Sequence, residues 1–205
     1  MIVKITVGPM GCNCYIVACD ETRDALIIDP GGETAKIKAA LRTHGLSACR
    51  IINTHGHGDH IGANGSLELP ISIHRLDAVF LEDPEKNLSS LFFFHIASPQ
   101  ASQLLEDGDI VEFGRARLSV IHTPGHTPGG ISLKMGKDLF TGDTLFQGGI
   151  GRTDFPYGDE ETLLRSIREK ILVLGDDTVI HPGHGPDSTV GEERVDNPFL
   201  QRGAR

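Results

Sequence analysis

Four residues of types that commonly bind metal ions lie within one six-residue segment: His55, His57, Asp59 and His60. They follow closely on residues 50–53, in which Ile51 and Ile52 predict a short buried strand. Side chains at positions i and i+2 of an extended segment point to the same side, so His55 and His57 can share one metal ion. Asp59 and His60 begin the next turn and can face a second ion. The segment therefore predicts a metal site at the end of a strand.

Glycine and histidine are both abundant in the chain, which has 25 Gly and 10 His among its 205 residues. Glycine is well above its usual share of about 7%. Gly56 and Gly58 separate the donors of the segment. Because glycine tolerates backbone conformations that other residues avoid, we expect both to let the loop turn tightly beside a metal.

Three more donors occur later in the chain, namely His126, Asp143 and His184. Each follows a predicted strand and has Gly or Pro beside it, as expected of a residue in a tight loop. Together with the first segment they make five histidines and two aspartates on four loops. That is enough for two three-residue sites and one carboxylate that bridges them. Imidazole and carboxylate ligands suit Zn, Fe, Mn or Co.

The hydrophobic pattern predicts mixed sheets with helices outside, which is an α/β fold with a layered sandwich architecture. Strands are predicted at 2–7, 12–18, 24–28, 50–53, 71–74, 110–113, 117–122, 130–134, 138–141 and 177–180, and helices at 33–44, 61–68, 76–81, 160–172 and 191–195. Residues 82–108 are less regular.

The charge balance limits the class of partner. Lys and Arg total 19 against 28 Asp and Glu, a net charge of −9, so we expect neither nucleic-acid binding nor a polybasic membrane contact. The apolar cluster 91–94 is far too short to span a bilayer.

The four cysteines lack a disulfide spacing, and the N-terminus lacks the features of a signal peptide. We expect free thiols and a cytoplasmic protein.

These motifs resemble those of the metallo-β-lactamase superfamily. The resemblance rests on the segment from His55 to His60, followed in order by His126, Asp143 and His184, and it extends from Cys12 to the end of the chain. It implies a four-layer αββα sandwich with a dinuclear site at one edge of the two sheets. It also implies one such domain over residues 1–205.

Within that superfamily, the chain is most similar to the short glyoxalase II-like hydrolases. The motifs that carry this likeness are Thr54-His55-Gly56-His57, Thr123-Pro124-Gly125-His126, Thr141-Gly142-Asp143-Thr144 and Gly151-Arg152-Thr153-Asp154. The likeness implies hydrolysis of S-(2-hydroxyacyl)glutathione, for example S-lactoylglutathione to glutathione and lactate, by attack of a metal-bridging hydroxide. The C-terminal helical domain of full-length glyoxalase II is expected to be absent.

The same resemblance implies a role for each donor. It assigns His55, His57 and His126 to one metal ion. It assigns Asp59, His60 and His184 to a second, and Asp143 to both. Asp59 and Asp143 are the expected catalytic residues, and Arg152 matches a lysine that contacts glutathione in the longer enzymes. The expected cofactors are two divalent ions, zinc first, with iron or manganese as alternatives. The expected partner is a small-molecule glutathione thioester, and the expected assembly is a monomer or a small homo-oligomer.

One alternative activity remains open. Glutathione persulfide dioxygenases resemble this chain in the Gly-Arg-Thr-Asp-Phe segment, and they use a single Fe(II) on two His and one Asp, here His55, His126 and Asp143. Pro156, where those enzymes tend to have Gln, favours the hydrolase.

The segment 85–103 also has two interpretations, a lid over the site or packing on the core.

Overall fold

Two mixed β-sheets of six strands each lie face to face in the computed structural model, which describes residues 1–201. The first sheet has the strand order β1 (Ile2–Val7), β2 (Cys12–Ala18), β3 (Asp24–Ile28), β4 (Ser47–Ile52), β5 (Ile71–His74) and β6 (Gln103–Leu105). The second has the order β14 (Ser188–Thr189), β13 (Val179–Pro182), β10 (Asp138–Gly142), β9 (Ile131–Met135), β8 (Ala116–His122) and β7 (Ile110–Phe113). A separate hairpin joins β11 (Leu145–Phe146) to β12 (Gly149–Ile150).

The α-helices are short, and they lie between the strands in the chain. They are α1 (Thr34–His44), α2 (Gly58–Ile61), α3 (Asn64–Leu67), α4 (Glu160–Ser166) and α5 (Val190–Asp196). Two 3₁₀ turns, Arg75–Phe80 and Ser90–Phe92, and a π-helical turn, Ile167–Ile171, complete the elements.

The inner faces of the two sheets bury the central hydrophobic core. Tyr15 and Val17 of β2 face this core, as do Leu133 of β9 and Phe140 of β10. The rings of Tyr15 and Phe140 meet edge to face, with centroids 5.1 Å apart. Since alternate residues of a strand point to opposite faces, the neighbouring side chains of these strands point outward and need a second covering layer.

Helices cover both outer faces. On the first sheet, Ile37 of α1 packs in one cluster with Ile16 and Ile27. On the second, Leu163 of α4 packs in another cluster with Leu139. The order of layers is therefore helix, sheet, sheet, helix, which confirms the predicted four-layer αββα sandwich.

Several elements differ from the sequence-based prediction. The stretch 160–172, predicted as one helix, is α-helical only to Ser166 and then π-helical to Ile171. The predicted helix at 76–81 is a 3₁₀ turn. The short strands β6, β11, β12 and β14 were not predicted, because two or three residues are too few to establish an alternating pattern. The partner of β6 is also distant in the chain, because this strand pairs with β5.

Strand direction brings several loops to one edge of the sandwich. Strand β3 is parallel to β4, and β10 is parallel to β13. Strand β8 runs in the same direction as β10, because both are antiparallel to β9. The loops that follow these strands therefore leave from the same edge of each sheet. Among residues 1–201, no helix has the length and apolarity needed to cross a membrane.

Candidate metal centre

The seven predicted donors come together at this edge. His55 and His57 follow β4, while Asp59 and His60 lie in α2. The remaining donors, His126, Asp143 and His184, follow β8, β10 and β13 respectively. The parallel arrangement of strand ends thus joins four separate loops into one cluster, as the sequence predicts.

His55, His57 and His126 form the first group of donors. Their ligand-type nitrogens all lie within 4.8 Å of one another. His57 Nδ1 is 2.9 Å from His126 Nε2, and the three rings stand nearly perpendicular to one another. Three buried imidazoles that converge on one point match the first ligand set implied by the family resemblance.

Asp59, His60 and His184 form the second group, again with donor atoms within 4.8 Å. His184 Nε2 lies 3.1 Å from Asp59 Oδ2 and 3.3 Å from His60 Nε2. Asp143 stands between the two groups. Its Oδ1 is 3.4 Å from His60 Nε2, and its Oδ2 is 3.7 Å from His126 Nε2. A single carboxylate therefore contacts both groups, as a bridging ligand must.

Asp29 orients two of the histidines, and sequence reasoning missed this role. Its Oδ2 accepts from His60 Nδ1 at 3.0 Å and from the Thr54 hydroxyl at 2.6 Å. Thr54 Oγ1 in turn is 3.2 Å from His55 Nδ1. Because the hydroxyl already donates to Asp29, it can only accept from His55. Both imidazoles thus carry their proton on Nδ1, which leaves Nε2 free to bind a metal ion.

His126 is oriented in the same way by the backbone. Its Nδ1 lies 2.7 Å from the carbonyl oxygen of Arg152, and a carbonyl can only accept. The proton therefore resides on Nδ1, and Nε2 is free to face the cluster.

Unpaired buried atoms also fit a metal ion. His55 Nε2, His57 Nε2 and Asp143 Oδ1 are buried without a hydrogen-bond partner. Buried polar atoms are normally satisfied, because an unpaired one costs free energy. A cation coordinated by His55 Nε2 and Asp143 Oδ1 would supply the missing partner, so the residues present fit the metal site that the donor pattern predicts.

The protonation states in the cluster are suited to metal binding. Burial lowers the pKa of His57 to about 3, and the nearby His126 adds to the effect. Burial also lowers the pKa of His55 well below its usual value. For Asp143, burial acts in the opposite direction, but the imidazoles of His60, His55 and His126 hold its pKa well below the usual range. His55 and His57 thus offer neutral imidazoles, and Asp143 offers an ionised carboxylate, the forms that ligate metals. At His60 and His184 burial is outweighed, and the nearby carboxylates of Asp59 and Asp143 raise the pKa of both imidazoles.

Asp77 connects two of the donor loops and is a second residue that sequence reasoning missed. Its Oδ2 accepts from the Gly56 amide at 2.9 Å and from the Thr127 hydroxyl at 2.7 Å, and its Oδ1 accepts from the Gly129 amide at 2.6 Å. The carboxyl group is fully buried, and burial raises its pKa despite these three donors. Asp77 lies in a turn whose sequence shows no pattern of metal-binding residues. The sequence signal that could have identified it is an acidic residue within an apolar stretch.

Close packing, and not backbone freedom, explains the glycines of the first segment. Neither Gly56 nor Gly58 has a positive φ. A Cβ on Gly56 would overlap Phe80, and one on Gly58 would lie 2.9 Å from the Cβ of Ser89. Gly183 is even more restricted, because its Cβ would overlap Asp143 Oδ1 and crowd the His60 ring. The expectation of a permissive backbone at Gly56 and Gly58 was therefore wrong.

Arg152 lies at the rim of the cluster. Its Nε and Nη2 donate to the two carboxylate oxygens of Asp154, at 2.9 and 2.7 Å. The guanidinium also lies 4.1 Å from the ring centre of Phe155. The guanidinium of Arg152, predicted to bind substrate, is therefore paired with a carboxylate of the same loop.

Similar proteins point to the same superfamily. The family model described as the metallo-beta-lactamase superfamily matches residues 7–184. A probable metallo-hydrolase, YqgX of Bacillus subtilis, is 39% identical over 96% of each chain. The hydroxyacylglutathione hydrolase GloC of Haemophilus influenzae is 39% identical over 92% of each chain. The mitochondrial persulfide dioxygenase ETHE1 of Bos taurus is 38% identical over 94% of this chain and 73% of that protein.

Similar solved structures lead to the same superfamily. The crystal structure of BLEG-1, described as a B3 metallo-beta-lactamase, superposes with a TM-score of 0.93 at 40% identity over 98% of this chain and 100% of that one. TTHA1623, in a di-iron-bound form, has a TM-score of 0.84 at 37% identity over 97% of this chain and 100% of that one. The fold, the donor cluster and these relatives lead to one conclusion: the chain belongs to the metallo-β-lactamase superfamily.

Proposed function

We propose that the protein is a metal-dependent thioester hydrolase that acts on S-(2-hydroxyacyl)glutathione, converting S-lactoylglutathione and water to glutathione and lactate. The observation that carries this proposal is the pair of three-residue donor groups on either side of Asp143, at the floor of an open cavity. The identity of 39% to a hydroxyacylglutathione hydrolase supports the choice of substrate.

In this proposal each donor keeps the role that the resemblance implies. His55, His57 and His126 hold one ion, and Asp59, His60 and His184 hold the other. Asp143 holds both. Zinc suits these ligands, and iron is an equal candidate because a similar structure is described in a di-iron-bound form.

Bound divalent ions would lower the pKa of a water molecule and polarise the thioester carbonyl. The chain itself supplies the orientation. Asp59, which lines the cavity, accepts a hydrogen bond from the attacking water and aims it at the carbonyl carbon. The water oxygen bonds to the carbonyl carbon, the C–S bond breaks, and glutathione leaves as a thiolate. Of the two protons of the water, one returns to the thiolate and the other passes to solvent. Because a thiol has a pKa of ~8.5, the leaving group needs little help from a proton donor.

Arg152 is the proposed contact for a carboxylate of glutathione. Arg152 is one of the residues that line the cavity, so its side chain can reach a substrate that also touches the donor cluster. Asp154 competes for the same two N–H groups. We therefore expect Arg152 to contribute modestly to substrate affinity.

A second activity deserves a direct comparison, because a persulfide dioxygenase is 38% identical to this chain. In that alternative, His55, His126 and Asp143 hold a single Fe(II), and glutathione persulfide is oxidised by O₂. The proposed hydrolase has no need of O₂.

One experiment separates the two activities. The purified protein is analysed for metal content, and separate samples are loaded with zinc or iron(II). Each sample is given S-lactoylglutathione, with thiol release recorded, and glutathione persulfide, with oxygen uptake recorded. Thiol release that depends on metal supports the hydrolase. Rapid oxygen uptake by the iron form, together with no thiol release from any form, would overturn it.

Because BLEG-1 is described as a β-lactamase, a chromogenic β-lactam serves as a third substrate.

A further inference from the structure

The cavity above the donor cluster has mostly apolar walls. It has a volume of about 400 Å³, within the range of ~300–1,000 Å³ that holds a drug-sized ligand. Its floor is formed by His57, Asp59, His126, Asp143 and His184. Its apolar walls include Met10, Phe92, Phe94, Ile96, Phe146 and Phe155. A lactoyl group would leave most of these walls without a contact.

The polar residues of the wall are already satisfied. Asn87 Nδ2 donates to the carbonyls of Phe80 and Ile96, and its Oδ1 accepts from the Ser89 amide. Ser89 Oγ accepts from the amide of Ile96 at 3.0 Å. Both side chains are thus used to fold the segment 87–96 and have little capacity left for a polar substrate.

Charged side chains are also rare on the cavity walls. Among the described lining residues outside the donor cluster, Arg152 alone is charged, and Asp154 neutralises it with two hydrogen bonds. Arg152 stacks on Phe155, so any anionic part of a substrate belongs at that end of the cavity. Phe92, Phe94 and Ile96 come from another segment, and they offer only apolar surface.

We infer that the cavity selects 2-hydroxyacyl thioesters with an extended apolar chain, aliphatic or aryl, over the short lactoyl group. This inference rests on the proposed function. The glutathione part lies toward Arg152, and the acyl chain lies against Phe92, Phe94 and Ile96. Water leaves the apolar wall when the chain enters, so each added methylene strengthens binding of both the substrate and the transition state.

The test is a homologous series of substrates. The kcat/KM of the metal-loaded protein is measured on S-lactoyl-, S-(2-hydroxybutanoyl)-, S-(2-hydroxyhexanoyl)- and S-(2-hydroxyoctanoyl)glutathione. We expect kcat/KM to rise about fourfold per methylene, the equivalent of ~0.8 kcal/mol for each CH₂ that leaves water, until the cavity is filled.

Matched variants locate the effect on the wall. Phe92→Ala and Phe94→Ala should each flatten the rise to less than about twofold per methylene, because apolar contact area is lost. Phe93→Ala is the control: this residue is 94% exposed and lies outside the cavity lining, so the variant should keep the full rise. These aromatic side chains lie at the surface, and their removal should leave the fold intact.

Binding without reaction gives an independent measurement. The dissociation constants of S-methyl- and S-hexylglutathione, which cannot be hydrolysed, are determined by calorimetry. S-hexylglutathione should bind at least about tenfold more tightly, and this advantage should shrink in Phe94→Ala but not in Phe93→Ala.

The outcomes separate the two proposals. If S-lactoylglutathione is hydrolysed but kcat/KM stays flat or falls along the series, the inference of an apolar acyl site is overturned and the proposed function stands. Equal dissociation constants for the two S-alkylglutathiones would overturn the same inference. If no member of the series is hydrolysed, the proposed function fails and this inference fails with it.

Discussion

The Nδ1 atom of His126 lies 2.7 Å from the carbonyl oxygen of Arg152. This hydrogen bond connects a proposed metal ligand to the residue proposed to bind glutathione. It depends on the backbone of Arg152 and not on the guanidinium, which points to Asp154 instead. The two roles of this position, orienting His126 and contacting substrate, can therefore be separated by substitution of the side chain.

Arg152→Ala should raise the KM for S-lactoylglutathione while kcat and metal content stay close to those of the wild type. The rise should be about fivefold at most, because an exposed ion pair contributes little in water. Asp154→Asn should do the reverse and lower KM, since it frees the guanidinium. Steady-state kinetics with metal analysis checks both variants. An unchanged KM in Arg152→Ala would mean that glutathione binds elsewhere.

His57→Ala and Asp143→Ala should abolish thioester hydrolysis and reduce the metal bound per chain. Each substitution removes a donor from the cluster, and Asp143 contacts both donor groups. Elemental analysis and activity on the same preparation provide the test. Asp177→Asn, at an exposed carboxylate paired with Lys137, is the control and should keep its metal. Full activity in either ligand variant would exclude the dinuclear mechanism.

Asp29→Asn should weaken metal binding about 10- to 100-fold, although Asp29 is not proposed as a ligand. Its carboxylate orients His60 directly and His55 through Thr54, and loss of such a partner typically has this effect. Competition with a chromogenic chelator measures the affinity. A variant with wild-type affinity would show that metal binding does not depend on the hydrogen bonds of Asp29.

Asp77→Asn should lower the free energy of unfolding by about 1–3 kcal/mol, the usual cost of a buried polar group without its partner. All three partners of the Asp77 carboxylate donate hydrogen bonds to it. The side-chain amide of asparagine has an NH₂ group in place of one carboxylate oxygen, so at least one of these donors would lose its acceptor. Urea denaturation of the metal-free protein isolates this effect from metal binding. Thr127→Val removes a single donor to Asp77 and should have a smaller effect. Equal stability of wild type and Asp77→Asn would contradict the role given to this carboxylate.

The sequence was most informative where function depends on local spacing. His55, His57, Asp59 and His60 share one short segment, so their proximity follows from the chain itself. The other donors were recognised because each follows a strand within a Gly- or Pro-containing loop. The structure brings all seven together, while their roles as ligands stay predictions.

Prediction failed where the partner of a residue is distant in the chain. Asp29 precedes Thr54 by 25 positions, and Asp77 precedes Gly129 by 52. Neither residue shows a pattern that distinguishes an orienting carboxylate from an ordinary turn residue. The short strand β6 was missed for the same reason, since it exists only through pairing with β5.

The sequence by itself determined the layered α/β fold and the residue types available for chemistry, because hydrophobic periodicity and donor spacing are local properties. Only the tertiary structure decided which nitrogen of each oriented histidine is free, which carboxylates orient the donors and how apolar the cavity wall is. Those properties arise where strands far apart in the chain end at one edge and exclude water from the groups between them. Burial then sets hydrogen-bond partners and pKa values that no single segment contains.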